Sequence, residues 1–287
     1  MTVTNPHAES SRKAMEYVKE LANTKDGWNF TQEKGGVKLY SKVTDSSPVP
    51  IVRGDIHIEG HEFTAQQIAS IALLPGCRKV WDEKFDTTEI KVMYSRLESL
   101  FWVKVKTPWP ISARDMCATS LRQITEDECY VVMASVEDDS VPAISGNVRA
   151  NLIISGWKVI KTDTGIDLIY ITQVDLAGSI PTAFVKNVQQ QVPLCAGLVV
   201  KYAKDFGYPP TSNICTAQFK SENFEHADKS YVATLDGTGE AEWFICKKMY
   251  PTSVKVAVKG EATPEIENNV VRVTGINGPV TVTITKA

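Results

Sequence analysis

The chain has 287 residues, with 31 Lys and Arg against 34 Asp and Glu and a formal net charge of −3. That balance gives no basic excess for nucleic acid or for permanent attachment to an anionic surface. The length allows one large domain or two ordinary ones, each with room for a core. No stretch approaches the roughly 18 apolar residues of a spanning helix. The N-terminus, Met1-Thr-Val-Thr-Asn-Pro-His, lacks the charged head and apolar run of a signal peptide. Neither Thr2 nor the C-terminal Thr-Lys-Ala fits a lipidation signal.

Asn5 as N-cap and Pro6 at the first helical position predict a helix over 6–23, with Ala14, Tyr17, Val18 and Leu21 on its apolar face. Strands follow at 37–42 and 52–59, then a helix over 63–73 packing through Phe63, Ile68, Ile71 and Ala72. Pro75 opens a short helical turn to Trp81. From there a run of strands is expected at 88–95, 98–105, 115–124, 129–137, 148–160 and 166–174. Their short connections make antiparallel neighbours the simplest arrangement.

Ser179-Ile180-Pro181 predicts the start of a long helix that ends near Phe206, before Gly207 and Pro209-Pro210. Val192 to Val200 is apolar on every side, with Pro193 and Gly197 weakening the middle. Such a helix is either a kinked core helix or a lid between a core and another apolar phase. Beyond Pro210, alternating runs at 231–235, 242–246, 254–258, 270–274 and 280–284 predict a small β-sandwich over 211–287. Its turn signals are Asp236-Gly237, Lys259-Gly260 and Asn277-Gly278.

The six cysteines lie far apart with no Cys-x-x-Cys, which argues against zinc and against a disulfide framework and for reduced thiols. His57 and His61 share a spacing of four, but their segment alternates as a strand and breaks at Gly60, so no metal pair is expected. The segment Val103 to Met116 is more informative. Val103 and Val105 face one way and Lys104 and Lys106 the other, Pro108 and Pro110 stop the ladder, and Trp109 and Ile111 stand in the loop. Trp is favoured at membrane interfaces. Trp109 is therefore read either as a membrane contact or as a core plug.

Residues 10–207 resemble the START family, the steroidogenic-acute-regulatory-protein-related lipid-transfer domains. The carriers of the resemblance are Gly36-Val-Lys-Leu-Tyr-Ser, Arg78-Lys-Val-Trp-Asp, Trp109-Pro-Ile-Ser-Ala-Arg-Asp, Ser135-Val-Glu-Asp-Asp-Ser-Val-Pro, Val148-Arg-Ala and Asp175-Leu-Ala-Gly-Ser-Ile-Pro. Their order and spacing are most similar to the phospholipid- and ceramide-binding branch. The resemblance implies an α+β helix-grip fold: a curved antiparallel sheet around a long C-terminal helix, enclosing a lipid tunnel. With it go a START-like domain over 1–210 and an all-β sandwich over 211–287.

What the resemblance implies about the site is equally definite. Arg78 matches the arginine that meets the lipid phosphate in phosphatidylcholine-binding members, and Asp82, four residues on, is placed to hold it. The competing reading is an internal ion pair that closes the tunnel floor. Arg114, Asp115 and Arg149 are expected to form a structural network. The positions of the choline cage are Val103 and Met116, the amides of ceramide binders are Val103 and Met133, and the charged pair of sterol binders is Phe101 and Ser120. None of the three headgroup patterns is intact.

The expected lining is therefore Arg78, Asp82, Phe101, Val103, Met116, Met133, Phe184 and Val188, with Trp109 and Ile111 at the membrane. The expected activity is non-enzymatic. A single lipid, most simply a phospholipid and alternatively a sterol, isoprenoid or fatty acid, is exchanged during transient contact with a membrane surface. No cofactor, metal or nucleic acid is called for, and the expected location is cytoplasmic and reversibly peripheral. Two other classes compete: a helix-grip enzyme with Asp82 as its acid–base candidate, and a lipid sensor acting on a protein partner through 211–287.

Overall fold

The computed structural model describes residues 4–45, 47–178, 180, 187 and 190–287. One large sheet is built from β1 (Asn29–Lys34), β2 (Val37–Thr44), β3 (Ser47–Glu59), β4 (Phe85–Met93), β5 (Glu98–Val105), β6 (Arg114–Ile124), β7 (Glu128–Ser135), β8 (Val148–Arg149), β9 (Asn151–Lys161) and β10 (Gly165–Asp175). Its order is β1-β2-β3-β10-β9-β7-β6-β5-β4, with β8 beside β6. Among the described residues only the β6–β8 pair of this sheet is parallel. The sheet thus closes the chain's early strands onto its late ones at β3–β10.

Period-two alternation gives the sheet two apolar faces, and each needs its own cover. Helix α1 (Ala8–Asn23) covers the outer face. Its Met15, Val18 and Leu21 pack with Ile51, Tyr130, Val132, Ile154 and Ile171, each large apolar side chain so buried contributing about 2 kcal/mol. Val18 lies so close to β9 that a Cβ on Gly156 would come within 2.5 Å of it. The helix begins at Ala8, not Pro6, after a turn over Pro6 and His7 that the Asn5 side chain closes. The Asn5 Oδ1 accepts the His7 N–H at 2.8 Å and its amide donates to Glu98 at 2.9 Å.

Helices α2 (Ala65–Leu73), α3 (Pro75–Trp81) and α4 (Cys195–Phe206) lie on the inner face. Thr64 starts α2 with a capping box shared with Gln67. Pro75 stands at the start of α3, where its missing N–H costs nothing. Ahead of α4, Val192–Leu194 forms a 3-10 turn. Pro193 cannot donate into an α-helical ladder, so the continuous helix expected across it is interrupted. The expected residues 181–186, 188 and 189 of that helix, including Phe184 and Val188, lie outside the described residues. Gly54 lets this segment settle on β3, since a Cβ there would stand 2.2 Å from the Pro193 carbonyl oxygen.

The last strands are β11 (Thr211–Cys215), β12 (Gln218–Glu225), β13 (Ser230–Asp236), β14 (Thr238–Phe244), β15 (Val254–Glu267) and β16 (Val270–Lys286). Along one edge, β16 pairs first with β14 and then with β13, and along the other it pairs with β15 throughout. The halves fold face to face around Trp243 and Tyr231, whose rings meet edge-on at 6.3 Å. Trp243 Nε1 donates to Tyr231 Oη at 3.0 Å. The turn joining β15 to β16 is Asn268-Asn269, both left-handed, as a two-residue hairpin requires. Gly260 lies inside β15 and Gly278 inside β16, so neither marks the turn its sequence suggested.

These strands do not stand apart from the helices. One apolar core runs from Ile68, Val131 and Ala203 into Phe224, Tyr231 and Trp243. Gly76 of α3 meets β12 so closely that a Cβ would lie 1.7 Å from the Phe224 carbonyl oxygen. Arg122 Nη2 donates to the buried Glu222 carboxylate at 2.9 Å. Gly76→Ala has no room to be absorbed, because the obstacle is backbone. It should destabilise the whole chain by about 2 kcal/mol or more, read as a drop in the thermal unfolding midpoint.

The same boundary holds a neutral histidine. Lys229 Nζ donates to His226 Nε2 at 2.6 Å, which leaves Nδ1–H to donate to Tyr202 Oη at 2.6 Å. Burial first, and then the charges of Lys229 and Lys286, pull the His226 pKa down from 6.5 to about 4, with Glu225 opposing. A depressed histidine pKa gives stability that is whole above pH 6.5 and is lost as pH falls toward 4. Chemical denaturation followed across that window should show the loss, and His226→Asn should flatten it.

Candidate functional site

The site is assembled from α3, the inner face of the sheet and the start of α4. Arg78 is on the last turn of α3, and its Nε donates to Asp82 Oδ2 at 3.0 Å. The other oxygen of Asp82 accepts the Lys84 N–H at 3.1 Å, so this carboxylate both ends the helix and aims the guanidinium. Arg78 lies over the rings of Phe85, at 4.9 Å, and Trp81, at 5.9 Å. Its side chain is 30% exposed, and among the described residues its two terminal NH₂ groups have no hydrogen-bond partner.

Three arginines of the large sheet, Arg53, Arg114 and Arg149, are treated differently. Arg53, 2% exposed, donates to Asp55 and to the carbonyls of Leu21, Ala22 and Thr24. Arg114 donates to the carbonyls of Ser112, Leu176 and Ala177, binding the loop before β6 to the end of β10. Arg149 donates to Asp115 and to the carbonyls of Val141 and Pro142. Asp115, almost wholly buried, also accepts from Trp102 Nε1 at 2.8 Å. These three guanidiniums hold strands and loops together. Arg78 alone of the four keeps both NH₂ groups open, on a wall that is otherwise apolar.

Phe101, Val103 and Met116 form one cluster with Phe85, Ala118, Ala150 and Leu152, and Met133 packs against it half-buried. A bulge between Leu152 and Ile154 turns Leu152 inward beside them. Phe101, Val103, Met116 and Met133 are thus brought together, and Arg78 touches their cluster through Phe85. Phe184 and Val188, being outside the described residues, are not placed.

Three further side chains join this wall. Tyr170 stacks on Trp157, with ring centroids 4.0 Å apart, and Trp157 meets Trp81 edge-on. The Tyr170 hydroxyl is 3.5 Å from Ser155 Oγ, and the Thr172 side chain is also within its reach. Burial, and then Cys195, raise the Tyr170 pKa, with Arg78 close enough to oppose. Burial pushes the Cys195 thiol up to about 12, with Asp82 adding to the rise and Arg78 and Lys84 opposing it. Tyr170, Cys195 and Arg78 therefore share one neighbourhood, although the first two come from β10 and α4. Their one sequence trace is the inward parity of Tyr170 with Leu168 on β10, which marks the face and not the neighbours.

At the C-terminal end of β5, the loop through Trp109 is a compact turn. Ile111 N–H donates to the Pro108 carbonyl at 2.9 Å, and Thr107 Oγ1 donates to the Ile111 carbonyl at 2.7 Å. Trp109 is 93% exposed and Ile111 half-buried. The core-plug alternative for Trp109 is thereby excluded. Among the described residues no helix is long and apolar enough to cross a membrane, and no three His, Cys, Asp or Glu side chains are grouped to hold a metal.

Sheet, inner helices and inward arginine together define a helix-grip lipid-domain architecture. Residues 9–200 match the START domain family, and the chain belongs to it. A comparison with curated protein sequences finds no match. Among solved structures the chain is similar to human StAR-related lipid transfer protein 5, with a TM-score of 0.62 and 21% identity over 69% of this chain and 96% of that one. It is also similar to human STARD10, with a TM-score of 0.59 and 19% identity over 71% of this chain and 83% of that one. The lipid transfer and protein localization domain of human StarD13 follows, with a TM-score of 0.54 and 19% identity over 70% of this chain and 98% of that one.

The contrast among arginines is measurable. Arg53→Ala strips a buried guanidinium from the Leu21, Ala22 and Thr24 carbonyls and from Asp55, which keeps Lys25, and should cost about 2 kcal/mol or more. Tyr170→Phe removes only weak hydroxyl contacts with Ser155 and Thr172 and should change stability by less than about 1 kcal/mol, both read by denaturant unfolding.

Proposed function

We propose that the chain holds one lipid between the inner face of the sheet and α4 and exchanges it at membranes, with a phospholipid as cargo. Family membership supports lipid binding as the general activity. The observation that carries the finer reading is Arg78: an oriented guanidinium with open NH₂ groups, set in an apolar wall, is a phosphate seat. The acyl chains would run along Phe101, Val103, Met116 and Met133, where each CH₂ removed from water contributes about 0.8 kcal/mol. The lack of an aromatic cage at Val103 and Met116 favours a small or uncaged headgroup over choline. Trp109 and Ile111 would enter the bilayer during exchange, near the loop that Arg114 ties to the end of β10.

The wall supports a carrier rather than an enzyme. Asp82 is committed to Arg78 and to the Lys84 N–H, while Cys195 and Tyr170 are held protonated by burial. A general base or an activated nucleophile needs a group poised to lose or accept a proton near neutrality. For 211–287 we infer a brace: it packs on α3 at Gly76, two residues from Arg78, and so sets the helix that carries the phosphate seat. In this reading 1–210 and 211–287 are two units that act as one body.

Native mass spectrometry of gently purified protein should show one phospholipid retained per chain. An empty protein, before and after incubation with liposomes, overturns the proposal. Arg78→Ala should abolish phospholipid retention while sparing the fold; retention unchanged removes the phosphate seat. Trp109→Ala should slow transfer between vesicles several-fold with equilibrium affinity preserved.

A further inference from the structure

We propose that the face around Trp109 is built to meet an anionic bilayer, not a neutral one. The inference rests on the lipid-exchange reading above and adds the chemistry of the membrane. Two segments separated in sequence come together there: the Lys106 N–H donates to the Lys84 carbonyl at 2.8 Å, joining the turn after α3 to the end of β5. Both lysine side chains are exposed, and Lys106 is three residues from Trp109. Residues 78–86 and 104–106 together hold five cations against three carboxylates, in a chain whose total is −3.

Pairing sharpens that local excess. Asp82 is taken by Arg78 at 3.0 Å and Asp86 by Lys104 at 3.1 Å. Glu83 is then the one carboxylate of the group left to answer Lys79, Lys84 and Lys106, none of which has an ion pair among the described residues. The rest of the chain is net acidic, so an anionic surface favours the approach that presents this group. Attraction at Lys84 and Lys106 therefore also turns the molecule, presenting Trp109 to the bilayer before any apolar contact forms.

The test is co-sedimentation of the full chain with two sets of vesicles, phosphatidylcholine alone and phosphatidylcholine with about a third phosphatidylserine. The wild-type chain should bind the anionic vesicles more than ten-fold better at physiological salt, with most of that advantage lost at about 1 M salt. Lys84→Ala with Lys106→Ala should weaken anionic binding by roughly twenty-five-fold, about five-fold per lysine. The Arg pair at the same positions should restore it. Both side chains are exposed and their link is through backbone, so these variants keep the fold. Equal binding to both vesicles that depends on Trp109 overturns the anionic preference and leaves membrane exchange standing. Absence of binding to either, with lipid transfer unaffected by Trp109→Ala, overturns both.

Discussion

The backbone contact between Gly76 and Phe224 is the constraint on which the arrangement rests. It brings a helix directly onto a strand edge with no side chain between them, and only glycine permits that approach. Because α3 is so short, fixing one of its turns fixes all of it. The position of Arg78, the seat of Trp81 against Trp157 and the path into β4 are then consequences of one close approach. The later strands therefore belong to the lipid-binding architecture mechanically, whatever else they do.

The arginines show how one side-chain type serves two ends. Burying a guanidinium is costly unless its donors are met. At Arg53, Arg114 and Arg149 they are met by carbonyls and carboxylates, and each residue ties chain segments that are distant in sequence. At Arg78 a single carboxylate fixes direction without filling the fork. An aligned but unfilled fork in an apolar wall is the feature on which the proposed phosphate seat rests.

Much of this was legible from the residues, and the reasons for the rest are local. Strand β5 was readable to the residue because its alternation is regular and both ends carry turn signals. Strand β1, Asn29–Lys34, is exposed along its whole length and so has no alternation to read. In β12 a bulge between Phe219 and Ser221 breaks the period. Arg78 and Asp82 could be paired from sequence since one helical turn separates them. Tyr170 and Cys195 could not, because only the folded sheet and the settling of Pro193 on Gly54 make them neighbours. The exposure of Trp109 was undecidable from composition, since a loop Trp flanked by prolines folds inward or outward with equal local sense.

The long β15–β16 hairpin has a consequence for how the chain reaches its fold. Because β16 is a member of both layers around Trp243 and Tyr231, neither layer is complete until that hairpin has formed in register. The Asn268-Asn269 turn provides a short-range nucleus, and β13 and β14 then have an edge to join. Strands β11 and β12 are the outer members of this set, and β12 brings Phe224 to Gly76. The support of α3 thus comes from residues far downstream of it in the chain, and it is complete only when the strands built on that hairpin are in place.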